Sequence, residues 1–157
     1  MKMSFDFPER VSSNVNADSF GEALQTARIK FLNEAARIVE QEALMHHHYT
    51  SRSGKLDASV MSRVLPDEDS IEVYLDSRIA AYGAYIHEGT GVYGENGRPY
   101  EIDPVTAPVL FFEDRFAKRV MVLGIRPDPF LHDALEAVRD DIYRMADDIF
   151  EGLEEML

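Results

Sequence analysis

Val60-Met61-Ser62-Arg63-Val64-Leu65, then Pro66-Asp67-Glu68-Asp69, then Ser70-Ile71-Glu72-Val73-Tyr74-Leu75-Asp76: this stretch decides the fold. The first run is rich in strand formers. The middle four residues are polar and open with proline, which suits a turn. The third run alternates strictly, placing Ile71, Val73 and Leu75 on one face of a strand. Together they predict a half-buried antiparallel hairpin.

Upstream, Phe20, Leu24, Ala27, Phe31, Ile38 and Met45 recur at steps of three, four or seven. Leu32, Ala36, Val39 and Ala43 widen the stripe. This predicts a long amphipathic helix over about residues 19–48. Ser19-Phe20-Gly21-Glu22 has the spacing of a capping box at its start. Residues 1–18 are polar and unpatterned and predict a flexible or partner-dependent arm. Residues 19–157 then form a single domain with an acidic C-terminal helix.

Downstream, the alanine-rich run 79–88 predicts a short helix. A loop dense in glycine follows, with Gly89, Gly91, Gly94 and Gly97. Residues 99–102, 108–113 and 118–123 read as strands, the last pairing with the second across 114–117. Asp128 and Pro129 are suited to cap and open a final helix. Its apolar stripe, Leu131, Leu135, Val138, Ile142, Met145, Ile149 and Met156, is nearly heptad. The order helix, strands, short helix, strands, helix reads as α+β. The expected sheet is antiparallel, with about four or five strands.

Composition bounds the function. The 157 residues match one ordinary domain. Cysteine is absent, which removes disulfides, thiol nucleophiles and cysteine-ligated metals. The formal net charge is −13. A nonspecific nucleic-acid binder needs cations to displace phosphate counterions, and an anionic membrane repels this chain too. No apolar run approaches the roughly 20 residues of a spanning helix, and the start lacks a signal-peptide core. The chain is expected to be made and kept in a cytoplasm, or built into a particle assembled there. Residues 128–157 carry 2 basic and 10 acidic side chains, a net of −8.

Chemical motifs fail one by one. His87-Glu88 opens like a zinc-protease motif, but the second histidine position holds Gly91. Adjacent helical residues diverge by about 100°, so His46, His47 and His48 do not converge on one ion. The glycine loop lacks the Lys-Ser/Thr ending of a phosphate loop. No Gly-x-Ser-x-Gly elbow exists, and no pair of carboxylates stands out. The reading is a non-enzyme without metal or cofactor.

Four segments carry a resemblance. They are Ser51-Arg52-Ser53-Gly54-Lys55-Leu56, Tyr82-Gly83-Ala84-Tyr85-Ile86-His87-Glu88-Gly89-Thr90-Gly91, Arg98-Pro99-Tyr100-Glu101-Ile102, and Gly124-Ile125-Arg126-Pro127-Asp128-Pro129-Phe130-Leu131-His132-Asp133-Ala134-Leu135. Their order resembles the tail-component family of long-tailed bacteriophages, which includes head–tail joining and tail-completion proteins. Gly83 departs from it, since alanine is frequent there. The resemblance implies a ring-forming virion protein, partnered by itself and by head-connector and tail proteins. Genome DNA would only pass through the channel, where acidity prevents sticking. The expected lumen wall is the acidic face of the last helix or part of the sheet surface. Candidate assembly contacts are His87, Glu88, Gly89, Thr90, Gly91, Tyr93, Gly94 and Arg98, together with the arm. The competing reading is an acidic binding or inhibitor module that occupies a basic protein surface.

Overall fold

A computed structural model describes residues 1–5, 17–112 and 114–154. The fold is α+β, with three α-helices and short antiparallel strands among the described residues. The hairpin forms as the alternation requires. Strand β2 (Val60–Leu65) pairs with β3 (Ser70–Leu75), Val60 opposite Leu75 and Leu65 opposite Ser70. Pro66–Glu68 make a 3-10 turn, and Asp69 closes it in the left-handed region at φ 46°. Short polar residues tolerate that conformation.

The first residues are not an arm. Lys2–Ser4 form β1, which pairs with the other edge of β3, Met3 opposite Ile71. Met3 is buried, so its apolar side chain holds the strand down. Residues 17 and 18 belong to a helix, and the remainder of the expected arm, 6–16, lies outside the described residues. The resulting three-stranded sheet has the order β1-β3-β2.

Helix α1 spans Ala17–Met45. It starts two residues before Ser19, so the expected capping box falls inside its first turn. It presents Phe31, Leu32, Ala35, Ala36, Val39 and Ala43 to the interior at three- and four-residue steps. It stops before the histidines, and Met45 at its end is exposed, beyond the last core position. Helix α3 (Phe130–Glu154) runs back along α1, with Tyr49 just after α1 against Phe130, ring centroids 4.9 Å apart. Leu131, Ala134, Leu135, Val138 and Ile142 bury its near-heptad stripe. These residues meet Ile71 and Val73 of β3 in one core. Each large side chain fully buried there contributes roughly 1.5–3 kcal/mol.

Three expectations fail beyond β3. The helix expected from residue 79 begins only at Gly83 (α2, Gly83–Glu88). Asp76 competes with it: the Arg78 amide donates to Asp76 Oδ1 at 2.9 Å, and the Arg78 guanidinium grips the same carboxylate. Such local bonds draw the backbone into a turn instead. The single sheet of four or five strands is instead three small sheets. Strand β4 (Tyr100–Ile102) pairs with β7 (Val120–Val122), and β5 (Leu110–Phe112) with β6 (Arg115–Ala117). The stretch expected to link β5 to its partner is itself that partner. Asp114, at φ 61°, makes the turn tight enough for this.

Both ribbons pack chiefly on themselves. None of the described side chains from 84 to 127 is fully buried.

Candidate functional site

The four segments that carry the resemblance gather around α2 and the adjoining ends of α1 and α3. A backbone strap makes this possible. The Thr90 amide donates to Ile125 O at 2.9 Å, and the Val92 amide to Leu123 O at 2.7 Å. The Ile125 amide returns a bond to Thr90 Oγ1 at 3.0 Å. The two chains approach so closely that only glycine fits. A Cβ on Gly91 would lie 2.1 Å from Leu123 O, and one on Gly124 would lie 2.0 Å from Thr90 O. Both residues also have positive φ. These glycines therefore serve an approach within the chain.

Asp128 binds the other elements together. Its amide donates to Ile86 O at the end of α2, 2.9 Å away. Its carboxylate Oδ2 accepts the amides of His48 at 2.8 Å and Tyr49 at 2.7 Å. The side chain is buried, so these donors stand in for water. Asp128 was expected to serve only the start of α3. Its carboxylate instead fixes the chain leaving α1.

Beyond that point Tyr49 donates its hydroxyl to Asp57 Oδ1 at 2.7 Å, and Ser51 donates to Oδ2 of the same carboxylate. The Ser51 bond, with that of Tyr49, holds the Asp57 carboxyl below its ordinary range. Burial, reinforced by Asp57, pushes the Tyr49 phenol well above its ordinary value. The three histidines go three ways. His46 reaches Glu42 at 2.8 Å, His47 stacks on Tyr49 at 3.7 Å, and His48 lies 3.3 Å from Asp128. Among the described residues no cluster of histidine and carboxylate side chains is placed to hold a metal ion.

Two hollows flank α2. The first, of about 610 Å³, has an apolar floor of Leu56, Tyr82, Ile86, Ile125 and Pro127. Arg52 and Arg126 stand at its rim, both exposed. Neither forms an ion pair among the described residues; Arg126 lies 5.2 Å over the Tyr93 ring. The second hollow, of about 660 Å³, brings together Glu88, Gly89, Thr90, Gly91, Gly94 and Arg98.

Six of the eight candidate contacts thus share one concavity. His87 and Tyr93 do not line it. His87 turns inward, its ring edge-on to Phe130 at 5.5 Å, with Nε2 buried and unbonded among the described residues. That desolvation lowers its pKa from the ordinary histidine value. Tyr93 lies under Arg126. The sequence reading gave no role to Arg52 or Arg126, although both stand within quoted segments. Their signal was the pairing of an arginine with small and apolar residues in segments distant along the chain.

Gly83 has its reason in packing. A Cβ there would meet Leu56 Cδ1 at 3.1 Å and Leu75 Cδ1 at 3.2 Å. Glycine lets the first turn of α2 sit tightly on those leucines.

No protein-family model, curated protein or solved structure matches the chain. Among the described residues no helix is long and apolar enough to cross a membrane.

Proposed function

We propose that this chain is a ring-forming virion subunit of a tailed phage or prophage, placed where head connector meets tail. The observation that carries the reading is the pair of ribbons between residues 100 and 122. They expose Val105 at 96%, Phe116 at 75% and Phe111 at 65% of their surfaces. Phe111 and Phe116 face each other across the strands, ring centroids 5.3 Å apart. Met121 and Leu123 add to the exposed apolar surface. Apolar surface of that extent on a strongly acidic chain calls for a neighbour that covers it. Neighbouring copies joined by unlike surfaces close into a ring when the rotation allows.

The resemblance of the four quoted segments supplies the virion context. The exposed acids of α3, among them Asp140, Asp141, Asp147 and Asp148, suit a wall past which DNA slides without sticking. The subunit acts by shape, and its partners are its own copies, the head connector and the tail.

Electron microscopy of lysates from a phage or prophage lacking the gene tests this. The expected result is DNA-filled heads separate from finished tails, or heads that have lost their DNA, or overlong tails. Intact infectious particles would overturn the reading and favour the acidic binding module.

A further inference from the structure

We infer that the arginine-rimmed hollow receives the acidic–apolar segment 151–157, Glu-Gly-Leu-Glu-Glu-Met-Leu, of a second copy of this chain. The proposal rests on the self-association part of the reading above and names the surfaces that meet.

Three observations carry it. The first is the hollow's chemistry. Its floor is apolar, and its rim holds two arginines without an ionic partner among the described residues, in a chain of net charge −13. The acid at the hollow is Asp128, whose carboxylate is buried and committed to the His48 and Tyr49 amides. Hydroxyls of Ser51 and Ser53 also line the site. A fitting occupant is anionic and carries apolar side chains. An arginine fork favours carboxylates because it offers paired donors.

The second is the occupant's chemistry. Residues 151–157 hold three glutamates interleaved with Leu153, Met156 and Leu157. The chain contains no cation after Arg144. Glutamates at 154 and 155 can meet the rim while the methionine and leucine fill the floor.

The third is placement. The hollow lies where α3 begins, since Pro127 and Asp128 line it and α3 starts at Phe130. Twenty-five helical residues carry the chain about 37 Å away before residue 154. Residues 151–154 therefore stand at the far end of α3 from the hollow of their own chain. The complementary surfaces sit at opposite ends of one molecule, which is the arrangement that joins copies head to tail.

The test uses the full chain at low concentration and a fluorescent peptide of sequence 150–157. Anisotropy titration should show saturable binding that a scrambled peptide of the same composition does not reproduce. Arg52→Glu with Arg126→Glu should weaken binding on the order of tenfold or more. A peptide with Lys at 154 and 155 should fail on the parent chain and bind the doubly reversed one. Both arginines are exposed, so thermal unfolding of the variant should match the parent. Equal binding of scrambled and native peptides, or of parent and variant, would overturn the proposal. These results do not depend on the phage phenotype, so the two readings fail separately.

Discussion

The helical half of this molecule and its ribbons are similarly rich in apolar side chains but use them in opposite ways. In α1, β3 and α3 the central apolar positions face one another and vanish from the surface. Phe31 keeps 1% of its exposure. In the ribbons an equally large phenylalanine, Phe116, keeps 75%. Burial stabilises a side chain only where it is buried, so the first phenylalanine stabilises the monomer and the second contributes little to it. The core closes within one chain, whereas the ribbons leave apolar surface uncovered.

The most forceful way to break this contrast is to truncate both rings. Phe31→Ala should destabilise the fold by about 3–5 kcal/mol, read by urea denaturation. Phe116→Ala should leave that stability within about 0.5 kcal/mol but shift sedimentation towards the monomer. Equal losses of stability would mean that the ribbon belongs to the monomer core. An unchanged sedimentation profile for Phe116→Ala would remove the ribbon from assembly.

Next in size is the junction between the regions. Asp128→Ala leaves the His48 and Tyr49 amides without their carboxylate acceptor. The expected cost is about 1–3 kcal/mol, since the two orphaned donors are only partly buried. Asp128→Asn keeps one acceptor oxygen and should recover part of it. If Asp128→Ala unfolds like the parent, water reaches those amides and Asp128 holds nothing together.

The contrast also explains what was legible in the sequence. The α1 and α3 stripes and the β2–β3 alternation are written in local periodicity, because each element buries one face against the same core. Between residues 84 and 127 none of the described side chains is fully buried, so no periodic signal marks the stretch. Arg115-Phe116-Ala117 is too short to alternate and was taken for a connector. The pairing of β4 with β7 spans a long separation and depends on the strap that Gly91 and Gly124 permit. Asp128 looked like an N-cap because a cap is a local pattern, while its acceptor role toward residues 48 and 49 is visible only in three dimensions. Six of the candidate contacts line one concavity because they follow one another along the strapped loop. His87 and Tyr93 departed because packing on Phe130 and stacking under Arg126 are contacts between distant segments.

The smallest effect expected lies at His87, where α2 touches α3. Its pKa is depressed chiefly by burial, against the pull of Glu88, Asp128 and Asp133 towards a higher value. In the unfolded chain the imidazole titrates near about 6.5. Just below that pH the unfolded state binds more protons than the folded one, so stability rises with pH through this window. The contribution is present above about pH 6.5 and is lost as pH falls through the folded value. Asp57 and Asp76, held low by Ser51 and Arg78 respectively, lose their contributions only at more acid pH, below about 4. The windows separate, which lets one variant isolate the histidine. His87→Phe keeps an aromatic ring against Phe130 and removes the proton site. Its melting temperature should fall less than the parent's between about pH 7 and pH 5. Parallel curves for the two proteins would mean that His87 meets water in the folded state, and that the α2–α3 contact is looser than the core it adjoins.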